Sequence, residues 1–170
     1  MTDFVISDTH FGHKNIIKLC NRPFKDVEEM DRTLIQNWNQ TVTSENDTVW
    51  FLGDFSWYKD EEKNESIFNA LKGIKFLIKG NHDNKNLLRL RWASRDERYE
   101  IVWKRPIVVL DHYPLQDWNH RLHGSIHLHG HVHGNNEYRG LKNRWDVSVE
   151  NSYMNYTPKE LQWFIERAEK

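Results

Sequence analysis

Three observations predict an α/β fold. In the first half, the short apolar runs Phe4-Val5-Ile6, Thr48-Val49-Trp50-Phe51-Leu52 and Ile74-Lys75-Phe76-Leu77-Ile78 are separated by segments whose apolar residues recur at helical spacing. In the second half, four more short runs follow with little helix between them. Each of the first three runs stops at polar or glycine residues: Ser7-Asp8, Gly53-Asp54 and Gly80-Asn81. The alternation of strand and helix favours crossover units with parallel pairing at the start, and the strand-rich second half favours antiparallel pairing.

The elements follow in order. The opening run is a first strand ending at Asp8. From Asp26 to about Val42, the residues Val27, Met30, Leu34, Ile35, Trp38 and Val42 form one helical stripe, with Asp26 as the cap and Glu29 as its partner. The run 48–52 is a buried strand, Glu61 to Leu71 a helix, and 74–78 a third strand. Asn84 to Leu90 suggests a short helix. Ile101-Val102-Trp103, Ile107 to Leu110, Ser125 to His129 and Asp146 to Val149 are the later strands. Thr157-Pro158-Lys159-Glu160 announces a terminal helix in which Thr157 caps and Pro158 takes the first turn.

At 170 residues, with no linker, repeat or low-complexity stretch, the chain reads as one domain over residues 1–170, able to bury a core without disulfides. Its 24 Lys and Arg nearly balance 25 Asp and Glu, which argues against a nucleic-acid polymer or an anionic membrane as partner. No apolar run approaches the ~20 residues that cross a bilayer. The sole cysteine, Cys20, and a start without the features of a signal peptide point to a reducing cytoplasm.

Six of the ten histidines lie between His120 and His133, the first hint of metal. Asp8 with His10, Asp54 and Asn81 stand where strands end, and sites in such sheets form at carboxyl edges. Gly53 and Gly80 precede two of these residues, and a residue without a Cβ permits a sharp turn or a close backbone approach. His112 follows another strand, and His131 and His133, one residue apart, point the same way if extended. Carboxylate, amide and imidazole donors without thiolate suit manganese, iron, zinc or cobalt better than calcium, and argue against a sulfur-rich structural zinc site.

These residues, read as Asp8-Thr9-His10, Gly53-Asp54, Gly80-Asn81-His82-Asp83, His112 and Gly130-His131-Val132-His133, resemble the five ordered motifs of the calcineurin-like metallophosphoesterases. The resemblance implies two mixed sheets packed face to face with helices outside, an αββα arrangement. It implies two divalent metal ions, manganese favoured with iron, zinc, nickel or cobalt as alternatives. Asp8, His10 and His133 would hold the first, Asn81, His112 and His131 the second, and Asp54 would bridge them. Two metals roughly 3.5 to 4 Å apart would turn a bridging water into the attacking hydroxide. His82 would serve as general acid, with Asp83 orienting it or tuning its charge. His13, Arg22, Asn81 and His82 are the candidate contacts for substrate phosphate.

Simpler readings exist for several of these residues. Asp8 or Asp54 alone reads as a carboxylate capping a turn, and Asp83 as the cap of the 84–90 helix. His127 and His129 alternate with apolar residues and read as hydrogen-bonded strand histidines outside the metal shell, and His120 and His123 as loop residues. The tryptophans default to core, except Trp57 and Trp118, which lie in loops near the motifs. The basic stretch Arg89 to Arg98 is interleaved with Asp96 and Glu97 and reads as a solvated face. A chain this short leaves little room for a lid or docking extension, which favours a phosphodiesterase acting on a small or nucleotide substrate. A phosphomonoesterase, a non-catalytic scaffold and a structural metal site are the competing readings.

Overall fold

The computed structural model describes residues 1–138 and 140–169, so Arg139 and Lys170 of the expected 1–170 domain lie outside the described residues. In chain order the elements are β1 (Asp3–Ile6), α1 (Ile16–Leu19), α2 (Val27–Thr41), β2 (Thr48–Phe51), α3 (Glu61–Ala70), β3 (Ile74–Ile78), α4 (Lys85–Leu88), β4 (Arg95–Asp96), β5 (Arg98–Ile101), β6 (Val108–Asp111), β7 (Ile126–His129), β8 (Arg144–Asp146), β9 (Lys159–Glu160) and α5 (Leu161–Ile165). They build two mixed sheets flanked by helices, ordered β4-β3-β2-β1-β9 and β5-β6-β7-β8.

In the first sheet β1, β2, β3 and β4 run parallel, with Ile6 opposite Phe51 and Phe51 opposite Leu77. This register brings the residues after β1, β2 and β3 out along one edge. Parallel neighbours require crossovers, and α2 and α3 supply two of them. The α2 stripe buries Met30, Leu34 and Trp38, and Asp26 caps the helix by accepting the Glu29 N–H at 2.8 Å. Glu29 reaches back one residue further than expected, accepting the Lys25 N–H. One hydrophobic core joins Val5, Phe51 and Leu77 of the first sheet to Val108, Leu110 and Leu128 of the second.

Four local expectations are corrected. In the second sheet only β5 and β6 are antiparallel, whereas β6, β7 and β8 are parallel. The connections 112–125 and 130–143 are long enough to return the chain to the same end without a full helix, and each contains one 3₁₀ turn. β5 lies earlier than the run 101–103, because Arg98 pairs with Asp111 in register and by a 2.8 Å ion pair, leaving Val102 and Trp103 exposed. The terminal helix starts at Leu161, since Lys159 and Glu160 pair with Val5 and Phe4 to cover the edge of β1. Thr157 accordingly caps no helix and donates its hydroxyl to the Asn155 carbonyl. Finally, β8 spans 144–146, and the chain beyond it crosses to the other sheet, where Ser7 bridges Ser148 and the Ser7 N–H donates to the Val147 carbonyl.

Candidate metal centre

Asp8, Asp54 and Asn81 follow β1, β2 and β3, while His112 follows β6 and His131 and His133 follow β7, all at carboxyl ends. Five of the seven candidate ligands sit in the left-handed region: Asp8 at φ 57°, His10 at 50°, Asp54 at 61°, His131 at 71° and His133 at 49°. A non-glycine residue held there costs about 1–3 kcal/mol unless its surroundings fix it. Here the loops fix one another, through Asp8 N–H to Gly53 O, His10 N–H to Asp54 O and Gly130 N–H to His112 O, at 3.0 to 3.1 Å. Gly53 and Gly80 allow this closeness: a Cβ on Gly53 would lie 2.6 Å from the Gly80 Cα and the His112 Nδ1, and one on Gly80 would collide with the Asp54 carboxylate.

The structure brings all seven residues together. Asp8 Oδ2 accepts the His131 N–H at 3.0 Å and the Ser148 hydroxyl at 3.1 Å. Its Oδ1 lies 3.6 Å from His133 Nε2 and 3.8 Å from His10 Nε2. Asp54 Oδ1 accepts the His82 N–H, and Oδ2 lies 3.6 Å from both His10 Nε2 and His112 Nε2. Asn81 Oδ1 is 2.9 Å from His112 Nε2 and from His131 Nδ1. Three groups able to hold a cation result: Asp8-His10-His133 and Asp8-Asp54-His112, which share Asp8, and Cys20-His133-Glu150, which shares His133 with the first.

The donors fit divalent cations. Buried Asp8 Oδ1 and both ring nitrogens of His10 have no hydrogen-bond partner in the protein, a costly state that a cation would relieve. The rings are oriented from behind: His112 Nδ1 donates to the Leu52 carbonyl at 2.7 Å and His133 Nδ1 to Glu150 Oε1 at 3.1 Å, which turns each Nε2 towards the aspartates. Burial disfavours charge on Asp8, yet the His10 ring 3.8 Å away and the charges of His133 and His112 outweigh it and hold its carboxyl far below the usual range. Burial also opposes charge on His133, but Cys20, Glu150 and Asp8 push it up to about 11. These groups are arranged around positive charge.

Glu150 was not singled out by the sequence reading, and neither was Ser148. Glu150 also receives Arg22 Nε at 2.8 Å, and the rest of the Arg22 guanidinium donates to the carbonyls of Thr9 and Asp8 and to Met30 Sδ. The expectation that Arg22 contacts substrate phosphate is therefore corrected: its side chain is 0% exposed and all its nitrogens are engaged. Asp83 is corrected likewise. Its carboxylate is buried, and burial raises its pKa, while its oxygens accept the N–H groups of Asp54, Phe55 and Gly80. It ties two ligand loops together, and Asn84 is the cap of α4.

His82, 41% exposed at its side chain, places Nε2 4.0 Å from Asp54 Oδ2. His13 lies 5.4 Å from the His10 ring and stacks on Trp57, and burial lowers its pKa to about 4. Trp118 is buried against His127, away from the role of exposed loop contact. His127 and His129 are buried within β7 and hydrogen-bonded.

The chain matches the calcineurin-like phosphoesterase family over residues 1–169. It is 37% identical to an uncharacterized protein of Methanocaldococcus jannaschii, covering 98% of this chain and 91% of that one. It is 30% identical to the gene 66 protein of Mycobacterium phage L5 over 75% of each. Among solved structures, a protein of unknown function from Aquifex aeolicus superimposes with a TM-score of 0.77 at 28% identity, covering 97% of this chain and 98% of that one. Whole-length family match, shared fold and a seven-residue cluster of the expected donors lead to one conclusion: the chain belongs to the calcineurin-like phosphoesterases, metal-dependent hydrolases of phosphoesters.

Proposed function

We propose that the chain is a phosphodiesterase acting on a small or nucleotide substrate in a reducing cytoplasm, with two divalent ions, manganese favoured, held by Asp8, His10, Asp54, Asn81, His112, His131 and His133. The observation that carries this reading is the position of Asp54 Oδ2, equidistant at 3.6 Å from a histidine of each half of the set. Bound cations would withdraw charge from the phosphoryl oxygens and make hydroxide available at neutral pH. Asp54 bridges the two halves, its second oxygen pinned by the His82 N–H. His82 presents Nε2 at the cleft, where it would hand a proton to the departing oxygen, and its exposure leaves room for a leaving group. Asn81 orients the phosphate beside His112 and His131.

The diester preference is supported by charge. Arg22 spends its guanidinium internally, and among the described residues no other Lys or Arg hydrogen-bonds or ion-pairs with a candidate ligand. A singly charged diester needs less cationic side-chain help than a doubly charged monoester. The test is hydrolysis of bis(p-nitrophenyl) phosphate against p-nitrophenyl phosphate by apo protein reconstituted separately with Mn, Ni, Co, Zn and Mg. Faster diester turnover supports the proposal. Faster monoester turnover makes the chain a phosphomonoesterase, and silence with every loaded metal makes it a binding scaffold.

A further inference from the structure

Trp57 is a large aromatic residue left 44% exposed beside the candidate metal centre. Its ring is T-shaped to that of His82, with centroids 4.8 Å apart, and lies 6.2 Å from the ring of His10. One face is covered by His13, whose ring lies parallel within 7° at 4.1 Å. The rest of the indole remains in water, which is costly for so much apolar area.

The backbone under this pair is braced. The loops after β1 and β2 form a bridge between Phe11 and Ser56, and the Phe11 carbonyl accepts the Trp57 N–H at 2.8 Å and the Ser56 hydroxyl at 3.2 Å. Asp31 holds both loops from outside, accepting the Gly12 N–H at 3.0 Å and the Tyr58 hydroxyl at 2.8 Å. A ring so fixed loses little freedom when something stacks on it.

We infer that Trp57, backed by His13, is a stacking platform for a nucleobase on one of the two groups esterified to the substrate phosphate. The inference rests on the phosphodiesterase reading and narrows it to nucleoside-bearing diesters. A flat, rigid indole face suits a planar π system, and a ribose between base and phosphate bridges a separation of the kind seen between Trp57 and His10. Other exposed aromatics fit less well: Trp103 is on a turn after β5, and Tyr113 meets His112 and His131 only edge-on, at 5.1 and 4.7 Å, with no ring stacked behind it among the described residues.

The test compares thymidine 5′-(p-nitrophenyl phosphate) with methyl p-nitrophenyl phosphate, which share a leaving group and differ in carrying a nucleoside or a methyl group, using manganese-loaded protein. Wild type should favour the thymidine ester about ten- to hundredfold in kcat/KM, chiefly through KM. W57A should bring that ratio to near one with metal content equal to wild type, and W57F should retain most of it. A wild-type ratio near one, or a ratio that survives in W57A, overturns the platform. If neither ester is hydrolysed, the hydrolase reading fails on its own, and calorimetry with thymidine 5′-monophosphate against inorganic phosphate decides the platform. Tighter nucleotide binding that W57A abolishes supports it, and equal binding of the two ligands overturns it.

Discussion

At the scale of single residues, the candidate centre depends on side chains that touch its candidate ligands from behind as much as on those residues themselves. His82 is bound to the site by its backbone N–H on Asp54, so removing its ring leaves that anchor in place. His82→Ala should keep full metal content and lose about 10²–10⁴ in turnover, most for esters with poor leaving groups. An unchanged dependence on leaving-group pKa would remove the acid role. Glu150 acts on the metal side, because it fixes the Nδ1 proton of His133 while buried against Arg22. Glu150→Gln should weaken one cation site by roughly 10–100-fold and leave the other near wild type, as read by competition with a chromophoric chelator. Equal affinity at both sites in variant and wild type would make Glu150 a packing residue only. The candidate ligands stood out in the sequence because each is a metal-binding residue type at a strand end. The pairing of Glu150 with Arg22 did not, because it joins positions 128 apart and carries no local pattern.

At the scale of elements, β7 buries two histidines, His127 and His129, in the second sheet. Burial, reinforced by the neighbouring His129, lowers the His127 pKa to about 4 from the usual 6.5. Its neutral form is built in: Nε2 accepts the Leu115 N–H at 3.0 Å while Nδ1 faces the Val109 carbonyl at 3.1 Å. Because the folded pKa lies below the unfolded one, the unfolded chain binds the extra proton first. The contribution to stability is complete above pH 6.5 and is lost as pH falls towards about 4. Each such histidine adds a slope of about 1.4 kcal/mol per pH unit in that window. His127→Gln, which keeps a donor and an acceptor but cannot titrate, should flatten the fall in urea stability of chelator-treated protein, with His129 supplying what remains. An identical slope in the variant would contradict the assignment. The main helices and buried strands were readable because their periodicity spans several turns or residues, as in 27–41 and 74–78. β9 was not, because two charged residues join a sheet only when the edge of β1 stands beside them. The parallel pairing of β6, β7 and β8 was hidden for a related reason: crossovers made by loops leave no helical stripe to read.

At the scale of the molecule, the candidate centre lies on the seam between the sheets. Asp8, His10, Asp54 and Asn81 follow strands of the first sheet, and His112, His131 and His133 follow strands of the second. The protein's own bonds across this seam include the Ser7 N–H on the Val147 carbonyl and the His131 N–H and Ser148 hydroxyl on Asp8. A cation taking donors from both sides is therefore a cross-link that exists only in the folded state, and its binding energy adds to folding. At a free metal concentration a hundredfold above Kd, each site contributes about 2.7 kcal/mol. For a chain of this size that corresponds to roughly 5–10 °C in melting temperature per site. Chelation should lower the melting temperature by that order, and re-addition of manganese should restore it. The loss should also be local, with faster amide hydrogen exchange at Ser7 and His131, whose N–H groups span the seam, than at Leu34 in the middle of α2. If chelation strips the metal but leaves both the melting temperature and those two amides unmoved, the seam is closed by protein contacts alone. The cations would then serve the chemistry without holding the sheets together.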